Sequence, residues 1–131
     1  MGVTLNFKNG DWCSFNLFHW SWVLSLAFAF DWRPAGTAAP TFNEGGECDP
    51  DPNWDGRYCY SDYQEVTEPD ARAIGEALHR ALETLRKAKD GDPEARADLT
   101  RRQESELLDG VDEVRIRKFA DMALSGPFLI G

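Results

Sequence analysis

The residues whose types and spacing come nearest to a recognisable chemistry are Asp51, Asn53, Asp55 and Asp62, with Gly56 among them. Counted from Asp51, oxygen-bearing side chains fall at positions 1, 3, 5 and 12 and glycine falls at 6, the spacing by which a loop wraps a single calcium ion. A hard cation collects several oxygens, and glycine lets the backbone bend around it. Asp49 would add negative charge nearby. The pattern also departs from a calcium loop: position 12 is Asp rather than the longer Glu, Pro52 lies inside the loop, and Pro50 denies it an entering helix. Residues 57–60 read as a strand where an exiting helix would begin. The competing reading is an acidic surface loop whose Asp and Asn side chains bond to their own backbone.

Zinc is the second metal chemistry to weigh, since Cys13, Cys48, Cys59 and His19 are ligand types that zinc accepts. Structural zinc sites take two ligands from one short turn, and only Cys13 and His19 lie near each other in this chain. Buried free cysteines are therefore expected. His19, set among Phe18, Trp20 and Trp22, reads as a hydrogen-bonded core histidine, and His79 as a solvent-facing one. The sequence has no G-x-S-x-G, no glycine-rich phosphate loop and no H-E-x-x-H, so no catalytic residue is assigned. Trp54 and Tyr58, beside the long acidic loop, are the candidate exposed aromatic anchors for a protein partner; the alternative is that both fold inward and pin the loop.

A net charge of −9 over 131 residues repels phosphate backbones and argues against nucleic acid. It suits a partner with a basic surface. Three cysteines with no C-x-x-C pair point to a reducing cytoplasm. The apolar segment 17–30, LFHWSWVLSLAFAF, is too short to span a bilayer and is preceded by a polar stretch holding Asp11. Gly2 is followed at position 6 by Asn, where a myristoylation signal needs Ser or Thr. No membrane anchor is expected.

The elements that must position these residues follow from the hydrophobic patterning. Residues 3–7 alternate, Asn9-Gly10 supplies a tight turn and 12–15 return, giving a hairpin. Asn16 caps a helix over 17–30 that is apolar nearly all round and so must be covered on more than one side. Ser21, Ser25 and Ala29 form a strip of small side chains, matched by Ala71 and Gly75 of a later helix, and the two are expected to pack together. Residues 35–54 read as a long loop and 57–60 as a strand. Thr67 opens a helix over 68–88, with Glu76–Arg80 and Glu83–Lys87 pairs on its solvent side. A weaker helix is read at 94–108, a further amphipathic one at 111–125 with Ile116, Phe119, Ala120 and Ala123 on its inner side, and a last strand at 128–130. The sum is one α+β domain over residues 1–131, a small antiparallel sheet packed with three to four helices.

Asn9-Gly10-Asp11-Trp12-Cys13-Ser14-Phe15-Asn16 leading into the Trp-rich helix, Trp32-Arg33-Pro34-Ala35-Gly36-Thr37, and Trp54-Asp55-Gly56-Arg57-Tyr58 followed by Gln64 and Asp70-Ala71-Arg72 occur together. In this succession the chain resembles, over residues 9 to 85, a group of small uncharacterised bacterial proteins with a Trp-rich N-terminal helix and a W-D-G-x-Y strand. The resemblance implies a shared fold and carries over no activity and no site residue. The functional expectation is a non-catalytic cytoplasmic protein-interaction module, binding a basic partner or a second copy of itself. The alternatives are a calcium-binding protein using the Asp51–Asp62 loop, and a small enzyme of unidentified type.

Overall fold

The computed structural model describes residues 2–39, 42–43, 46–47, 55–59, 61, 63–102 and 113–131. Its elements in chain order are β1 (Gly2–Phe7), β2 (Trp12–Asn16), α1 (Leu17–Ala29), β3 (Phe42–Asn43), β4 (Gly46–Glu47), β5 (Gln64–Val66), α2 (Glu68–Lys89), α3 (Pro93–Arg101), α4 (Glu113–Ser125) and β6 (Phe128–Ile130). Four strands form an antiparallel sheet in the order β2-β1-β6-β5, and β3 and β4 form a separate small ladder. The result is an α+β domain in which Val3, Leu5 and Phe7 of β1 and Phe128 and Ile130 of β6 point into a core shared with the helices.

The hairpin forms as read from its alternation, with one change at the turn. Phe7 pairs with Asp11 and only Gly10 takes a positive φ, +93°, so the loop is Lys8-Asn9-Gly10 rather than a two-residue Asn-Gly turn. Asn16 caps α1 as expected: its side-chain oxygen accepts the His19 amide at 2.6 Å. The inner side of α1 sends Trp20 into the centre of the core. There its ring meets Phe119 edge-on at 5.5 Å, and its indole N–H donates to the Tyr58 carbonyl at 2.7 Å.

The end of α1 is closed in a way its own sequence does not announce, since its last turn carries no basic residue. Three arginines from elsewhere donate to its final carbonyls: Arg33 to Phe28 at 3.1 Å, Arg102 to Ala29 at 2.7 Å and Arg80 to Phe30 at 2.7 Å. Each satisfies an acceptor that a helix terminus leaves over, and cations at this end oppose the negative pole of the helix dipole. Arg80 therefore does not form the expected pair with Glu76, and Glu83 pairs with Arg86, at 2.6 Å, rather than with Lys87.

Two further expectations are corrected. Residues 57–59 are not strand; the fourth strand of the sheet is β5, where the side chain of Gln64 is buried. Gly75 packs on α4 rather than on α1: a Cβ there would come within 2.8 Å of the Ala120 carbonyl oxygen. Small residues are needed at that crossing because the helix backbones approach closely. Ser21 and Ser25, the proposed partners of Gly75, face solvent. The expected weak helix at 94–108 is described as α3, with Asp92 accepting the Glu94 and Ala95 amides; residues 103–112 lie outside the described residues.

Candidate functional site

Trp32, Gly36, Thr37, Tyr58, Gln64 and Asp70, which belong to the motifs quoted above, are brought together around the first turn of α2. Asp70, in that turn and 4% exposed, accepts from the indole N–H of Trp32 at 2.8 Å and from the Tyr58 hydroxyl. The Tyr58 oxygen in turn accepts the Gly36 amide at 2.8 Å, and the Trp32 and Tyr58 rings meet edge-on. Below them Thr37 Oγ1 and Gln64 Nε2 both donate to the Arg57 carbonyl, at 3.0 and 3.1 Å. Gly36 and Gly56 touch backbone to backbone, both at positive φ, and a Cβ on Gly56 would fall 2.9 Å from the Gly36 Cα.

This cluster is closed. Both carboxylate oxygens of Asp70 are engaged, and the helix N-terminus stabilises the negative charge. Burial, reinforced by the hydrogen bond to Asp70 and its negative charge, pushes the Tyr58 phenol well above its ordinary value, so it stays protonated. A satisfied buried network of this kind fixes loops in place. Tyr58, 8% exposed, is therefore not the exposed anchor expected; it folds inward and pins the segment 55–59 to α2. Trp54 lies outside the described residues.

The metal readings fall largely on residues outside those described. Asp51, Asn53 and Asp62 lie outside the described residues, and Asp55 is solvent-exposed and ion-paired with Arg57. Cys48 also lies outside them. Cys13 and Cys59 are free thiols, and no group of three His, Cys, Asp or Glu side chains is placed to hold a metal among the described residues. His19 is half-buried between the rings of Phe15 and Trp22. His79 is also half-buried, 2.8 Å from Asp121 Oδ1 on α4 without the alignment of a hydrogen bond, rather than solvent-facing.

Two of the open surfaces among the described residues carry exposed aromatic side chains. One is a groove of 630 Å³ between β2 and α4, lined among others by Trp12, Cys13, Arg115 and Lys118. Arg115 there lies over the Phe15 ring and donates to the Ser14 carbonyl. Burial pushes the Cys13 thiol up to about 11 despite Lys118 and Arg115, so it is no thiolate nucleophile at neutral pH.

The other surface is the solvent side of α1, which reasoning from sequence placed wholly in the core. Phe18 is 83% exposed, Phe28 50% and Leu17 39%. At about 100° per residue these three share one face with Ser21 and Ser25, and the half-buried Trp22 and Ala29 border it. The face runs into a groove of 550 Å³ bounded by Pro34 and Cys59. The one-sided pattern has a sequence signal, the absence of any charge in α1, but that signal marks equally a helix buried all round. No helix among the described residues is long and apolar enough to cross a membrane. Comparison with protein-family models, with curated proteins and with solved structures finds no match to the chain.

Proposed function

We propose that the protein is a non-catalytic, cytoplasmic protein-interaction module that docks through the solvent side of α1. The observation that carries this reading is the exposure of Phe18, Phe28 and Leu17 on one uncharged helix face, at the mouth of an adjoining groove. Aromatic side chains at the centre of a patch supply much of the energy of protein association, and surface of this kind is costly to leave in water. The closed hydrogen bonding around Asp70 supports a structural rather than catalytic use of the buried polar residues. The cytoplasmic placement rests on the cysteine pattern, with Cys13 and Cys59 both free.

The test is recovery of partners from host extract with wild-type protein and with a Phe18→Ser/Phe28→Ser variant. Both side chains are half or more exposed, so the variant stays folded, and partners retained by wild type are expected to be lost. Equal recovery by both would overturn the reading. A thermal melt with Ca²⁺ and with chelator separates it from the calcium alternative. An interaction module shows no shift, whereas a calcium loop shows one that vanishes in Asp55→Ala.

A further inference from the structure

We infer that the occupant of the exposed face of α1 is a second copy of this chain, bound as an antiparallel, two-fold symmetric helix pair. The inference rests on the reading of α1 as a docking surface and names its partner. The outward residues of α1 are arranged symmetrically about Val23: Phe18 and Phe28 lie five residues to either side, and Ser21 and Ser25 two residues to either side. A two-fold interface requires one surface patch to be complementary to itself.

Helical geometry supplies that complementarity. With two α1 helices antiparallel and crossing at the level of Val23, residues equally far from Val23 on opposite sides stand level, so Ser21 meets the partner's Ser25 and Phe18 meets the partner's Phe28. Phe28 likewise stands level with the partner's Phe18, about 7.5 Å along the helix from the crossing. The small serines thus meet at the crossing, which lets the helix axes approach closely, and a pair of phenylalanines stands on either side of it.

Area and charge point the same way. With about 150–250 Å² available per large side chain, Phe18, Phe28 and Leu17 expose about 350 Å² of apolar surface. The apolar part of one side of a standard interface is about 450 Å², and the half-buried Trp22 and Ala29 at the margins bring the face close to it. α1 itself contains no charged residue, and Arg33, whose guanidinium lies 4.5 Å from the centre of the Phe28 ring, stands at the end of the face rather than at the two-fold. The net charge of −9 is carried elsewhere, and two copies repel only at longer range.

Sedimentation equilibrium of the purified chain tests this directly. Wild type is expected to associate to a dimer with a dissociation constant in about the micromolar range, and more tightly as salt screens the repulsion between acidic copies. Ser25→Lys and Ser25→Glu each place like charges close to the two-fold and are each expected to weaken the dimer about 100-fold. An equimolar mixture of the two variants is expected to recover a heterodimer, which a folding defect could not produce. A wild-type dimer that persists in both variants would place the contact elsewhere and overturn the inference. So would a wild type that stays monomeric. In that last case, partner recovery that is still lost in Phe18→Ser/Phe28→Ser keeps the interaction reading with a different occupant, and recovery that is not lost ends both.

Discussion

The two aromatic-rich regions on either side of α1 are put to opposite uses. On the inner side and at the first turn of α2, the residues are Trp20, Trp32 and Tyr58, each with a polar atom, and each polar atom has a partner within the fold. On the outer side the residues are Phe18 and Phe28, which have no polar atom to place and are left in water. Aromatic rings that carry a donor can pin a particular geometry, because a buried donor without an acceptor is costly. Rings without one supply area and no fixed direction. The difference separates what stabilises this chain from what is available to a partner.

The sharpest way to break the comparison is at Asp70. Asp70→Ala leaves the Trp32 indole and the Tyr58 hydroxyl without their acceptor, and a loss of about 3–4 kcal/mol is expected in denaturant unfolding. The same region should be sensitive to base. Because the folded state raises the Tyr58 pKa, the associated stability is fully present below the unfolded phenol value of about 10 and declines as pH rises beyond it. Tyr58→Phe should remove that decline while costing stability at pH 7, as read from thermal melts across pH 7 to 11.

Gly75→Leu comes next, with about 1–3 kcal/mol lost as α2 and α4 are forced apart at the Ala120 carbonyl. Arg80→Ala should cost about 1 kcal/mol by freeing the Phe30 carbonyl at the end of α1. The smallest effect on stability belongs to the opposite region. Phe18→Ser/Phe28→Ser, compared with wild type at concentrations where both are monomeric, should change unfolding by no more than about 0.5 kcal/mol. If it unfolds the monomer, the two regions are not the separate things described here.

Fold class, the hairpin, the Asn16 cap and the long α2 were all legible because period and capping are local properties. What sequence could not supply was orientation. The alternation of residues 57–60 looks like a strand, but Tyr58 turns inward to reach Asp70 rather than to follow a pleat. The real strand β5 is three residues long, and its inward Gln64 breaks the apolar pattern that would have revealed it. The four-residue spacing of small side chains was correctly read as a close helix approach at Gly75, yet the same spacing on α1 faces solvent. Spacing says that a helix can be approached and leaves open by what. The arginines closing α1 lie 5, 73 and 50 residues beyond the carbonyls of Phe28, Ala29 and Phe30 in no sequence pattern that could pair them, apart from Arg33 just past the helix end.

The place of β6 in the sheet sets a schedule on folding. Its residues, Phe128–Ile130, are the last strand in the chain, yet they lie between β1 and β5 and hydrogen-bond to both. During synthesis the hairpin and the three-residue β5 have no neighbour to join them until residue 130 has left the ribosome. At about 5–20 residues per second, Val66 waits several seconds for Phe128. Through that interval β1 presents an unpaired edge and α1 both of its apolar sides, so a chaperone that shields this segment would find its substrate in the nascent chain rather than in the finished protein.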